Sequence, residues 1–252
     1  MKKTAPFATE AALCADFISH ATRRGDWVSY AETGGWDILL VRKEDGFQIG
    51  IQAKLVLNAK VLDQSLPDRY WHVAENGPDC RAILVPAGCC GNLSNICGFL
   101  GLTVIRQNSP VSKHRAQGFN PDLPLPSGVA YAEYQNRDWH EWAPVKRVKL
   151  PDFIPDVAAG CSAPVQLTDW KVKALKLCVI LEMRPVSRSD FKALGLDASR
   201  WTNYWLKRTP EGYVEGRGMP DFRRQHPENY AQIKADAENW IAALKLKEGV
   251  LL

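Results

Sequence analysis

The sequence predicts an α/β protein: a mixed sheet flanked by helices, followed by a small, mainly helical module. Three observations predict it. Residues 36–54 alternate as a β-hairpin around Asp45-Gly46. Residues 81–106 read as strand, helix, strand, the order of a parallel crossover. A proline-studded stretch then precedes a regular, helix-rich final third.

Thr9 caps a first helix that runs to about Arg24, with Leu13 and Phe17 at helical spacing, and Gly25-Asp26 ends it. Trp27 to Tyr30 is a short strand. The two arms of the hairpin follow. Leu55 to about Tyr70 reads as strand end and then helix, closing near Pro67. Arg81 to Pro86 is a buried strand, Asn92 to Leu100 a helix, and Leu102 to Arg106 a further strand. Between Asn108 and Val165 the pattern fades and prolines recur, with Trp139 and Trp142 tucked against the core. The expected division is a first domain over 1–143, a proline-stiffened linker over 144–165 and a second domain over 166–252.

In that second domain Thr168 caps a helix reaching about Met183, and Ser187 caps a short one ended by Gly195. Asp197 caps a third helix, from Ala198 to about Lys207. Gly212 to Gly218 reads as a glycine-rich hairpin, and Pro227 opens a last helix to about Lys245. Three short helices and then a hairpin is the order of a winged helix-turn-helix.

The chain has 252 residues, 46% of them hydrophobic and 24% charged, enough to bury a sizeable core. The net charge is +4, and residues 165–252 alone hold 15 Lys and Arg against 11 Asp and Glu. The basic excess therefore sits in the last third, where a polyanion would meet it. Seven cysteines occur with no C-x-x-C pair and no histidine at ligand spacing, which excludes a structural zinc site and points to reduced, buried thiols. No signal peptide and no bilayer-length apolar run is present, so the expected location is the cytoplasm.

The chemistry concentrates in the hairpin, which carries Asp37 on one arm and Gln52-Ala53-Lys54 on the other. A two-residue turn at Asp45-Gly46 sets Asp37 opposite Lys54, and a turn at Glu44-Asp45 sets it opposite Gln52. Both bring Asp37, Gln52 and Lys54 to one face. A three-residue turn sets Asp37 opposite Ala53 and breaks the cluster. An aspartate, a polar oxygen and a lysine on one face can hold a divalent metal beside a water, the minimum for cutting a phosphodiester. A solvated lysine protecting an edge strand is the competing reading of Lys54.

Asp37…Gln52-Ala53-Lys54, after a helix that begins at Glu10, resembles the PD-(D/E)XK nucleases, in the Gln-x-Lys form found among Mrr-type restriction nucleases. The resemblance covers roughly residues 8–106. Trp36 stands where proline is common, and Gln52 replaces the usual acid. The resemblance implies a restriction endonuclease-like core in which Asp37, Gln52 and the Ala53 carbonyl hold Mg²⁺ or Mn²⁺. It gives Lys54 the attacking water and makes Glu10 a further contact. Glu10 also reads as an ordinary first-turn acid favoured by the helix dipole. Glu32 is a spare carboxylate, and Gln64 lies on the next helix.

The implied activity is Mg²⁺-dependent hydrolysis of DNA, with a homodimer as a partner state common among such nucleases. In the second domain Arg200, Asn203, Tyr204, Lys207 and Arg208 face outward from the third helix, as residues reading double-stranded DNA would. Arg217, Arg223 and Arg224 would clamp the flanking backbone. A packing or dimerisation module is the alternative for this domain. An inactive nuclease fold that binds DNA or protein to regulate another system is the alternative for the whole chain. A nuclease acting on RNA is a third reading.

Overall fold

The computed structural model describes residues 6–66, 76–89, 91–109, 118–160 and 167–249. The chain divides into two compact units, one reaching Ala163 and the other starting at Pro164. The first contains α1 (Glu10–Ala21), β1 (Trp27–Thr33), β2 (Trp36–Arg42), β3 (Gln48–Ala53), α2 (Ala59–Ser65) and β4 (Asn76–Gly77). It continues with β5 (Cys80–Pro86), α3 (Ser94–Phe99), β6 (Leu102–Gln107), β7 (Phe119–Asn120), α4 (Ala132–Gln135) and β8 (Lys146–Arg147). The result is a mixed α/β fold around a six-stranded sheet of order β1-β2-β3-β5-β6-β7.

Sequence chemistry explains the frame. Thr9 caps α1 by accepting from the Ala12 N–H, and Asn58 caps α2 by accepting from the Val61 N–H. Gly34 and Gly35, at φ +63° and +84°, form the two-residue turn joining β1 to β2, a conformation that L side chains resist. β2 and β3 pair antiparallel, with Ile38 opposite Ile51, the register that sets Asp37 opposite Gln52. The connection is a four-residue loop rather than either expected two-residue turn. Arg42 N donates to Phe47 O, and Gly46 N to Arg42 O. The Asp45 carboxylate shapes this loop, accepting from the Phe47 N–H and from the Arg42 guanidinium. That guanidinium holds the Asp45 carboxyl down at about 2.

β3, β5 and β6 run parallel, as the strand–helix–strand reading requires. Leu13, Cys14 and Phe17 of α1 share a core with Ile38, Leu40, Ile49, Ile51, Ala82 and Leu84. Val61 and Leu62 of α2 and Cys97 of α3 pack with Ile83, Val85 and Val104. Ile83 and Leu84 alternate along β5, so the two clusters cover opposite faces of the sheet.

The stretch expected as a linker behaves otherwise. Val148 and Leu150 pack on Leu39 and Val41, while Val157 and Ala159 join the α1 core. Trp139 is buried in that same core. Residues 144–160 therefore belong to the first unit, and 161–166 lie outside the described residues, as do Cys90 and the helix end expected near Pro67. None of the described cysteines Cys14, Cys80, Cys89, Cys97 and Cys178 forms a disulfide. Among the described residues no helix is long and apolar enough to cross a membrane.

The second unit contains α5 (Asp169–Met183), α6 (Arg188–Leu194), α7 (Ala198–Arg200), β9 (Leu206–Thr209), β10 (Gly212–Glu215), α8 (Phe222–Gln225), α9 (Pro227–Ala235) and α10 (Ala237–Gly249). The expected third helix is short. After α7 a π-helical turn over Trp201–Trp205 ends the coil, and the chain turns into β9. The hairpin is β9–β10, turning at Pro210-Glu211, not the glycine-rich stretch alone. Proline disfavours helix at Thr209, which starts the turn. Val186 bridges Tyr213 as a third strand position. Trp201, buried, packs with Phe191, Trp170, Trp205 and Phe222 at ring-centroid distances of 5.1–6.2 Å.

A Cβ added at Gly50 would overlap the Trp36 indole and stand 2.8 Å from Pro78. Gly50→Ala therefore costs about 1–3 kcal/mol of stability, measured as a lower midpoint in urea unfolding. An unchanged midpoint would mean that Trp36 does not lie over β3.

Candidate active site

The site forms where β3 changes partners. The β2–β3 ladder stops at Ile38–Ile51, whereas β3 stays with β5 through Ala53–Leu84, and Lys54 N donates to Leu84 O. β2 has turned away towards Gly34-Gly35, so the Ala53 N–H has no ladder partner. The Asp37 carboxylate takes it, with Oδ2 accepting at 2.7 Å. N–H and C=O of one strand residue point to the same side, so the Ala53 carbonyl opens into the same gap.

Burial pushes the Asp37 carboxyl above the usual carboxylate range. The Ala53 N–H and Lys54 draw it back, and Glu10 pushes it further up. Lys54 reaches α1, where its Nζ donates to Glu10 Oε2 at 2.7 Å in a partly exposed pair. Glu10 is the first residue of α1, so the Thr9 cap that starts the helix also aims this acid. One turn later the buried Cys14 thiol is raised, first by desolvation and then by Asp37, Glu32 and Glu10, against Lys54. Those four charged groups therefore converge around one buried thiol.

Glu32 sits across the hairpin from Asp37 with a left-handed φ of +49°, uncommon for a residue with a side chain. Its Oε1 accepts from the Gly160 N–H at 2.7 Å. Gly160 has φ +74° and lies against the first turn of α1, where an added Cβ would stand 3.3 Å from Ala11 N. The Gln52 amide nitrogen donates to the Gly35 carbonyl at 2.7 Å. This bond fixes the orientation of the amide, because a flipped one would set two acceptors together. Its oxygen then lies on the side away from Gly35.

The structure thus brings Asp37, Lys54 and Glu10 together, with the Ala53 main chain beside them. Gln52 reaches the turn rather than Lys54. Exposed Gln64 borders a different cavity, next to Gly34-Gly35. Asp37, the Gln52 amide and the Ala53 carbonyl offer oxygen donors, the class that suits a hard divalent cation, but Gln52 is turned to Gly35. Among the described residues no three His, Cys, Asp or Glu side chains gather at metal-holding distance.

Sequence reading missed Cys14, Gly160 and Arg81. Gly160, in Ala158-Ala159-Gly160, carries no signal. Arg81 does, as a cation opening the apolar run of β5.

In the second unit Arg200, Asn203 and Tyr204 are exposed on α7 and the π-turn. Lys207 and Arg208 are exposed too, but on β9 rather than on a helix. Arg217 and Arg224 are exposed. Arg223 is taken up inside the unit, paired with Glu215 at 2.9 Å and Glu182 at 3.3 Å.

Compared with protein-family models, with curated proteins and with solved structures, the chain finds no match.

A raised folded-state pKa means that Asp37 binds its proton more tightly folded than unfolded, so stability falls as pH rises through that window and stays lower above it. Asp37→Asn keeps an acceptor for Ala53 and removes the charge. In metal-free buffer it should raise the melting temperature at pH 7, with the gain shrinking as the pH drops below the Asp37 pKa. A variant less stable than the parent at pH 7 would contradict this.

Proposed function

We propose that this protein is a metal-dependent deoxyribonuclease. Its first unit would be a restriction endonuclease-like core of the PD-(D/E)XK type, in the Gln-x-Lys form. Its second unit would be a winged helix that delivers it to duplex DNA. One observation carries the reading: Asp37 of β2, Lys54 just past β3 and Glu10 of α1 meet at the point where β2 leaves β3.

In this reading Asp37, the Gln52 oxygen and the Ala53 carbonyl would hold Mg²⁺ or Mn²⁺. Bound there, the ion would supply Lewis-acid activation of water and neutralise charge on the scissile phosphate. Lys54 orients the attacking water and stabilises the developing negative charge with its ammonium. Glu10 fixes the position of that ammonium. Cys14 and the cores on either face keep bulk water away from the back of the site.

Helix, bridging strand position, helix, helix and hairpin in the second unit support the winged-helix reading. Arg200, Asn203 and Tyr204 would meet base edges and phosphates. Lys207, Arg208, Arg217 and Arg224 would meet the backbone. Gln52, an amide in place of an acid, favours one alternative, a nuclease fold that binds DNA without cutting it.

Plasmid incubated with Mg²⁺ or Mn²⁺ should be cut. Asp37→Ala and Lys54→Ala should each lose about 10²-fold or more in rate, and Glu10→Gln less. Retarded DNA mobility without cutting by the unmutated protein would replace the enzyme with the binder. On the second unit, Arg200→Ala and Arg217→Ala should weaken DNA binding at unchanged melting temperature, whereas Arg223→Ala should lower the melting temperature. Equal affinity in all three variants would remove the second unit from DNA recognition.

A further inference from the structure

A second feature lies on the other side of the Gly34-Gly35 turn. It is a cavity of about 640 Å³ bordered by Gly35, Gln64, Arg81, Lys146, Arg147 and Lys149, with no Asp or Glu among the described residues of its lining. Lys146 and Lys149 are exposed. Arg147 is balanced by Asp79, its Nε lying 2.8 Å from Asp79 Oδ2.

Arg81 is the unusual member. Only 5% of it is exposed, and no carboxylate pairs with it among the described residues. Nη1 donates to the Ser65 carbonyl at 3.0 Å, while the buried Nε has no partner among the described residues. The guanidinium lies 4.7 Å from the Trp142 ring centre and 5.7 Å from that of Trp36. Desolvation lowers its pKa, and no acid among the described residues offsets it. A buried cation without a counter-charge is costly unless an anion completes it, and the two exposed lysines bring further positive charge to the same opening.

We infer that this cavity is a phosphate-binding subsite, with Arg81 at its floor and Lys146 and Lys149 at its rim. Guanidinium and ammonium groups without competing acids select phosphate oxygens. The carrier of that phosphate rests on the nuclease reading: a phosphate of the bound strand, next to the one being cut. Gly35 links the two sites, since its carbonyl holds Gln52 and its backbone borders the cavity. A strand engaged in the cavity would thus bear on the turn that leads into Asp37.

The test measures binding without metal, so it does not depend on cutting. Fluorescence anisotropy in EDTA follows a labelled oligonucleotide across a salt series, and calorimetry follows inorganic phosphate. The double variant Lys146→Ala/Lys149→Ala changes only exposed residues. It should weaken oligonucleotide binding about tenfold or more and reduce the salt slope by about one to two. Arg81→Gln should abolish phosphate binding if it folds. Tighter binding of a 5′-phosphorylated than of a 5′-hydroxyl oligonucleotide would identify a terminal phosphate as occupant, and equal binding an internal one. Oligonucleotide and phosphate binding unchanged in the double variant would overturn the subsite. Absence of cutting by the native protein in Mn²⁺ would overturn the nuclease reading and leave the subsite standing.

Discussion

The hydrogen bond from Ala53 N–H to Asp37 is the contact on which the site depends. A strand that exchanges one neighbour for another leaves main-chain groups unpaired at the exchange. In a buried sheet such a group costs on the order of 1–3 kcal/mol if nothing meets it. Here a carboxylate meets it, so the same bond that repairs the sheet also fixes an acid beside an open carbonyl. The acid is in turn tolerated because Lys54 lies near and because the N–H is a charge-assisted donor. Backbone repair and charge placement are one arrangement, which is why Asp37 is held by main chain and not by a flexible partner.

Much of this frame was legible in the sequence. Alternation along 36–42 and 48–53 located the hairpin, and the apolar runs at 81–86 and 102–106 gave the parallel pair. Period two breaks down at the end of β3. Gln52 and Lys54 share a face only if the pleat to β2 is continuous. The ladder stops at Ile38–Ile51, so Lys54 swings to α1 and Gln52 reaches the glycine turn. A partner 44 residues away, as Glu10 is from Lys54, leaves no trace in local spacing. The loop at 43–46 was misread for a nearer reason. Asp-Gly signals a tight turn, but Asp45 here binds Arg42 and the Phe47 N–H and widens it.

In the second unit, capping residues and hydrophobic spacing found the helices, while the end of the third was overrun. Arg200 to Lys207 looks continuous as a helix because Trp201 and Trp205 recur at helical spacing. The π-turn that carries both rings into the aromatic core also uses up the helix, and Lys207 and Arg208 pass to a strand. The glycines at 216 and 218 are not a loose tip. Their backbones lie against the Trp205 and Tyr204 carbonyls, where a Cβ would stand within 2.8 Å. They permit close approach, a role that composition alone does not separate from flexibility.

The contact between Gly160 and Glu32 bears on how the protein can be dissected. Proline content invites a cut near residue 143, yet the chain returns from there to cover the hairpin and to hold, through one peptide N–H, the acid opposite Asp37. A fragment trimmed at that point would keep every residue of the recognisable motif and lose the strap that holds its geometry. Such a fragment could be silent for reasons unrelated to its chemistry, so an expression boundary for the isolated first unit belongs beyond Gly160.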